Sequence, residues 1–375
     1  MLPMQSRKRN RLCAGSGLLF IPAVVICSLF CPFSTHGATG QSVRPEAVQG
    51  QNPESVSAAD IPVLHATSNL VLLDVLVVNR RNGHMITNLT ADDFALQEDG
   101  VPQQISYFTQ DKLPLSILFL FDLTDSVQLQ LKALGAGAQQ VLEHLKPEDE
   151  VSVETFSSRI QQIQPFTCDR SLAAAAILKA STMHSKEPTF IDEDVTEAVE
   201  AAGDATLRNS RRVLVFFTDG TADPPSRIAR LFAGRSAPAK LHTHVEAEEA
   251  LLRSGVTVAA LIDRPPLDDA MIGMEYAMPL GWALNLQPKM NDVSRYAAQT
   301  GGPVLKSGGH KVAADLASLL DAIRARYTLG YVPTTDRPAG SFCRIRLTLT
   351  QKAYEEHPEL RNGRYEVRTR VGYYR

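Results

Sequence analysis

Three scarcities narrow what this chain of 375 residues can be. A single Trp and an aromatic share of 6% leave few flat rings for a sugar-binding or base-stacking surface. Neither sign of charge is in excess, since 38 Lys and Arg stand against 41 Asp and Glu, a formal net charge of -3. Phosphate binding needs a concentrated basic surface, so nothing here points to nucleic acid. Five cysteines are too few for a disulfide-built scaffold in a chain of this length. No internal repeat is visible, and the composition excludes a collagen, a coiled coil and a polytopic membrane protein. What is present is ordinary globular material: 44% apolar residues for a packed core, with 21% charged, too few for a disordered polyelectrolyte. At roughly 100–200 residues per domain, the length allows two or three domains, or one large domain with additions.

The first forty residues do not read as fold. Arg7, Lys8, Arg9 and Arg11 form a basic cluster, Leu18–Phe33 is almost wholly apolar, and small residues follow at Gly37 and Ala38. That order is the order of an export signal, taken here as residues 1–38. The apolar run contains Pro22 and falls short of the roughly 20 residues of a spanning helix. If the segment is retained, it is instead a membrane anchor. Cys27 and Cys31 lie where a lipid-attachment cysteine would, but Ile26 and Phe30 precede them where small residues are wanted. Export implies a periplasmic, secreted or envelope-associated protein. Cys168 and Cys343 are then the two cysteines left, free to pair if the fold brings them together. Residues 39–61 are rich in Gln, Ser, Pro and Gly without apolar periodicity and read as a flexible linker.

Two strand-rich pieces bracket an alternating core. The first, residues 62–112, holds NLVLLDVLVVN, a turn at Asn79–Gly83, and a hairpin signal at Asp99-Gly100. The second, residues 328–375, holds Cys343–Thr350 and Tyr365–Val371, both alternating with period two; Tyr327–Val332 is strand-like at its threshold. Neither is large enough to build a sandwich alone, which predicts one small β-sandwich shared between them. Residues 113–327 alternate strand and helix as a doubly wound, mostly parallel α/β sheet does. Leu115–Asp122 reads as a buried parallel strand, and Val127–Leu145 as a helix with Leu129, Leu131, Leu134, Val141 and Leu145 as its apolar stripe. Strands are expected at Val151–Phe156, Ile160–Phe166, Arg212–Thr218, Val256–Ile262 and Pro303–Leu305. The short Ser157–Arg159 connection makes the first two of these antiparallel neighbours. Further helices are expected at Ser171–Ala180, Asp192–Thr206, Asp292–Gln299 and Val312–Arg326.

Ligands of such sheets bind outside the carboxyl ends of the strands, where strand order reverses. Three features of the sequence belong there. Asp122, Thr124 and Ser126 leave the first strand at alternate positions, Thr189 opens a later helix, and Asp219 leaves the FFTDG strand. Carboxylate and hydroxyl oxygens suit a hard cation such as Mg²⁺, which usually keeps several waters. Singly, Asp122 also fits a helix cap and Asp219-Gly220 an ordinary turn. It is their joint order across three segments that points to a metal.

These residues resemble the von Willebrand factor type A domain and its metal ion-dependent adhesion site, which reads Asp-x-Ser-x-Ser, a distant Thr and a distant Asp. Asp122, Thr124 and Ser126 match the first element with Thr at its middle position, Thr189 matches the distant Thr, and Asp219 the distant Asp. The resemblance covers roughly Leu113–Tyr327, and the flanking pieces resemble the exported VWFA-related Acidobacterial domain proteins. It implies that the three hydroxyls and two carboxylates hold Mg²⁺, Mn²⁺ or Ca²⁺, directly or through water. It also implies a non-enzymatic module that binds an acidic side chain of a protein partner. Asp125 and Glu187-Pro188 depart from the family pattern, where Gly is frequent at these positions.

A metal-dependent hydrolase using the same acidic cluster is the alternative reading. No Ser-His-Asp or Cys-His arrangement is identifiable, and Thr124 occupies the place of the second Asp of a phosphoryl-accepting haloacid dehalogenase-like pattern. His242 and His244 with Glu246, Glu248 and Glu249 lack H-E-x-x-H spacing and read as a solvated helix face. Gly135 and Gly137 lie inside a helical stretch and do not form a dinucleotide loop.

Overall fold

A computed structural model of the chain describes residues 70–80, 83–110, 113–220, 241–263, 292–308, 311–361 and 365–375. The expected export signal at 1–38, the expected linker at 39–61 and the cysteines at 27 and 31 lie outside them. No helix among the described residues is long and apolar enough to cross a membrane.

The strands, in chain order, are β1 Val71–Asn79, β2 Phe94–Glu98, β3 Val101–Gln103, β4 Ile105–Gln110, β5 Leu115–Asp122, β6 Glu150–Phe156 and β7 Ile160–Thr167. They continue with β8 Arg211–Thr218, β9 Thr257–Asp263, β10 Val304–Ser307, β11 Tyr327–Tyr331, β12 Phe342–Leu349, β13 Tyr365–Arg368 and β14 Gly372–Tyr374. The helices are α1 Gln128–Leu142, α2 Arg170–Ser181, α3 Ile191–Ala201, α4 His244–Ser254, α5 Asp292–Thr300, α6 Val312–Arg324, α7 Gln351–Glu356 and α8 Pro358–Arg361.

The central sheet has the order β10-β9-β8-β5-β6-β7. All neighbours are parallel except β6 and β7, whose antiparallel pairing follows from their three-residue connection. A strand flanked on both faces by helices must be apolar throughout, and β5 is buried along all eight residues. One face packs α1, α2 and α6 around Phe119, Phe121 and Phe217. The other packs α3, α4 and α5 around Leu118, Leu120 and Phe216. The chain enters at β5, winds out through β6 and β7, then returns to β8 on the other side, so order reverses between β5 and β8. The crevice that a doubly wound sheet offers to ligands therefore opens at the ends of these two strands.

The bracketing pieces form two four-stranded antiparallel sheets, β13-β1-β11-β4 and β14-β12-β2-β3. Their shared core joins Leu73, Val75 and Leu96 from one end of the chain to Tyr327, Tyr331 and Leu347 from the other. In β12 the burial alternates strictly, as a strand solvated on one face requires. Asp99 and Gly100, at φ 48° and 84°, make the tight hairpin turn between β2 and β3.

One expectation needs correction, and one pairing that the sequence left open does not form. Leu129 does not join the apolar stripe of α1 but is 71% exposed. A short 3₁₀ turn, Asp125–Val127, precedes α1 and sets its phase, so that Leu131, Leu134, Val141 and Leu142 face the sheet. Nor do Cys168 and Cys343 pair, for Cys343 is a free, buried thiol on β12.

Candidate metal centre

Asp122 ends β5 with its carboxyl group nearly out of solvent, 2% exposed. Two donors hold that group. The backbone N–H of Thr124 donates to Oδ1 at 2.8 Å, and the Thr218 hydroxyl on neighbouring β8 donates to Oδ2 at 2.9 Å. Thr218 Oγ1 in turn accepts the N–H of Gly220 at 3.1 Å. Asp122 thus spans the crevice between β5 and β8. Burial pushes its carboxyl up to about 6 against the pull of those hydrogen bonds, with the negative charge of Asp219 adding to the rise.

Asp122 is not the cap of α1, whose N-cap position is Val127. Thr124 stands at the N-cap of the 3₁₀ turn and makes no side-chain capping bond. Its hydroxyl lies 3.1 Å from that of Ser126. Thr124 is half-buried and Ser126 and Asp125 are exposed, so this turn places two adjacent hydroxyls at the solvent edge of a buried carboxylate.

The segment before α3 is strapped to the same turn. Ser185 N–H donates to Leu123 O at 2.8 Å, and Gln128 Nε2 donates to Met183 O at 2.8 Å. Thr189 follows, half-buried, two residues ahead of Ile191 where α3 begins. Glu187 accepts the hydroxyl of Ser158 at the β6–β7 turn. Asp219, half-buried, leaves β8 beside Gly220, whose φ of 71° is the left-handed conformation that glycine adopts freely. Asp122, Thr124 and Ser126 are therefore joined by direct hydrogen bonds, and Asp219 is close enough to raise the pKa of Asp122.

Asp263 is a further acidic group that the sequence reading passed over. It ends β9, and pairing of Thr218 with Ile262 places it level with Asp219 on the adjacent strand. It is 1% exposed, and neither carboxylate oxygen has a hydrogen-bond partner. Burial raises its pKa, and Asp219 raises it further. A buried carboxylate without donors is costly unless a proton or a cation neutralises it. Three adjacent parallel strands thus deliver carboxylates to one edge of the sheet.

The histidines expected on a solvated helix face are instead bonded to α3. His242 meets Glu193 through Nδ1 at 2.8 Å, and His244 Nδ1 lies 3.1 Å from Asp192 and 2.9 Å from the Tyr296 hydroxyl. Glu246 closes a capping box with Thr243 at the start of α4. These groups fasten helices. Among the described residues, the His, Cys and carboxylate groups that gather in threes within 4.8 Å are Asp93, Glu356 and His357, in the sandwich.

No family model and no curated protein matches the chain. Among solved structures it is similar to the conserved hypothetical protein BatB from Bacteroides thetaiotaomicron, at 14% identity and a TM-score of 0.39, covering 56% of this chain and 97% of that one. It is similar to the vWF domain of the type V pili tip protein Mfa5 from Porphyromonas gingivalis, at 11% identity and a TM-score of 0.37, covering 56% and 95%. A von Willebrand factor type A protein from Catenulispora acidiphila gives 10% identity and a TM-score of 0.39 over 71% of each chain. By its own strand order and two-sided helical cover, the central part of this chain is a doubly wound, mostly parallel α/β domain.

Proposed function

We propose that the crevice between β5 and β8 is a metal ion-dependent adhesion site of an exported protein-interaction module. In this reading Asp122, Thr124, Ser126, Thr189 and Asp219 hold Mg²⁺, Mn²⁺ or Ca²⁺, and an acidic side chain of a protein partner completes the shell. The observation that carries it is the pinned, buried carboxylate of Asp122 at the reversal of strand order, with the Thr124 and Ser126 hydroxyls beside it. The donor set fits a hard cation, since every group in it offers oxygen. Asp263, next to Asp219 on the adjacent strand, supplies a further acidic group close by. When bound, such an ion supplies a positive, oxygen-seeking position for the carboxylate of the partner.

The residues of the chain have separate tasks. Thr124 N–H and Thr218 Oγ1 fix the orientation of Asp122, each donating to one carboxylate oxygen and leaving further lone pairs on both. The 3₁₀ turn keeps the two hydroxyls at the surface, where a partner reaches them. The reading is of binding without turnover.

An array of peptides tests it, each peptide carrying one Asp or Glu and paired with its Asn or Gln counterpart. In Mg²⁺ the chain is expected to be retained by a subset of the acidic peptides and not by their amides. Chelator should release it, and Asp122→Ala should behave as chelator does. Retention that ignores both the chelator and the substitution would overturn the proposal.

A further inference from the structure

The opposite end of the central sheet carries a cleft lined by charge of the other sign. The cleft, of about 360 Å³, opens where the sandwich meets the amino ends of β5 and β8. Arg208, Arg211, Arg212 and Arg370 line it, against one lining carboxylate, Asp74. A fifth guanidinium, that of Arg326, sits fully buried beside Asp74 and donates from Nη2 to its backbone oxygen at 3.1 Å. Its Nε and Nη1 have no partner.

Asp74 is already engaged. Arg211 Nε donates to its Oδ1 at 2.9 Å, while the other nitrogens of Arg211 reach Ile323 O at 3.0 Å and the Thr328 hydroxyl at 2.9 Å. Among the described residues no carboxylate forms an ion pair with Arg208, Arg212, Arg326 or Arg370. Burial lowers the pKa of Arg326 to about 10 and lowers that of Arg370 as well, with Asp74 pulling each the other way. Guanidinium groups stay charged in such surroundings, so their charge needs an answer from elsewhere. The hydroxyls of Ser210 and Ser254 also line the cleft and add neutral polar groups.

We propose that this cleft binds a small oxyanion ligand, one bearing a phosphate or carboxylate group, between Arg212 and Arg370. Guanidinium forks match both groups through paired N–H···O bonds. The volume falls within the roughly 300–1,000 Å³ of small-molecule pockets. The site lies about 20 Å along β8 from Thr218, at strand spacing, and stands apart from the Asp122 crevice. It is also a seam, because Leu72, Asp74 and Thr328 come from the sandwich while Arg208 and Arg212 come from the central domain. A bound oxyanion neutralises the repulsion across that seam and stabilises the joined molecule.

The test is thermal unfolding and calorimetric titration of the full chain with inorganic phosphate and, separately, with succinate, each against NaCl of equal ionic strength. At least one oxyanion is expected to raise the melting temperature saturably. Binding of phosphate alone assigns the ligand group to phosphate, and binding of succinate alone assigns it to carboxylate. Arg212→Gln and Arg370→Gln, with far-ultraviolet circular dichroism to confirm folding, should each weaken that binding by about tenfold or more. Without an anion, Arg212→Gln should not melt below the parent, because it loses a repelling charge, whereas Arg370→Gln also gives up the bond from Nη2 to Leu252 O at 3.4 Å and is read by its anion binding alone. A shift no larger than that given by matched NaCl, or variants that bind both probes as the parent does, would overturn the proposal.

Discussion

Asp122 carries opposite consequences for stability and for the proposed function. In the metal-free protein its folded pKa of about 6 exceeds the usual 3.8, so the folded state binds the proton more tightly than the unfolded chain. The resulting penalty is absent below the unfolded value and complete above about 6, so stability from this group falls as pH rises through that window. In chelator, raising the pH from 4 to 7.5 should therefore cost the parent on the order of 3 kcal/mol through this group, a loss that Asp122→Asn escapes even though its amide keeps only one accepting oxygen for the two donors. Urea titrations of both proteins at the two values will show the difference in pH dependence. Glu154 on β6 obeys the same sign. It is 1% exposed with Oε2 unpartnered, and burial raises its pKa above the usual 4.5, helped by Asp204 and Glu197. Glu154→Gln should raise the melting temperature at pH 7 by a few degrees and leave it unchanged near pH 4. At this scale the sequence is legible only in part. Asp122 stands out because it ends an unbroken apolar run and begins an alternation of oxygens. Asp263 ends a similar run alone, and only the register between β8 and β9 sets it beside Asp219.

Strands of the central sheet are readable because burial on both faces leaves no room for polar alternation, and β5, β8 and β9 are continuous apolar runs. Helix phase is less readable. Leu129 lies two residues before Leu131, about 200° around the helix from it, and a count that starts the helix at Val127 does not reveal this. Gly135, inside α1, has a packing reason. A Cβ on Gly135 would stand 2.3 Å from Ser181 Oγ and 2.6 Å from Ser181 Cβ, so at that point the Ser181 side chain of α2 packs directly on the backbone of α1. Gly135→Ala should lower stability by about 1–3 kcal/mol in urea unfolding, although alanine is the better helix former. Ser181→Gly in the same protein should recover part of the loss. An alanine variant as stable as the parent would show that the two helices have room to separate.

The molecule closes on itself through its two ends. The core of the sandwich needs β1 and β2 from one piece and β11 and β12 from the other, so neither piece buries its apolar face alone. Deleting Cys343–Arg375 removes β13 from its pairing with β1 and β12 from its pairing with β2. The truncated chain should expose Val75 and Val77, lose solubility and be cleaved by protease within the N-terminal strands. Unchanged melting and unchanged proteolysis would show that the ends fold independently. That partnership was legible from the sizes of the two pieces, whereas the arginine-lined seam was not, because Arg208, Arg326 and Arg370 are far apart in sequence and meet only after the sandwich docks. At the other end of the central sheet, the account rests on a cation held where strand order reverses. Calorimetric titration of the full chain and of Asp122→Ala with Mg²⁺ and with Mn²⁺ measures this directly. The account predicts saturable binding of at least one ion by the parent and none by a folded Asp122→Ala protein; equal heats and equal affinities for the two proteins would contradict it.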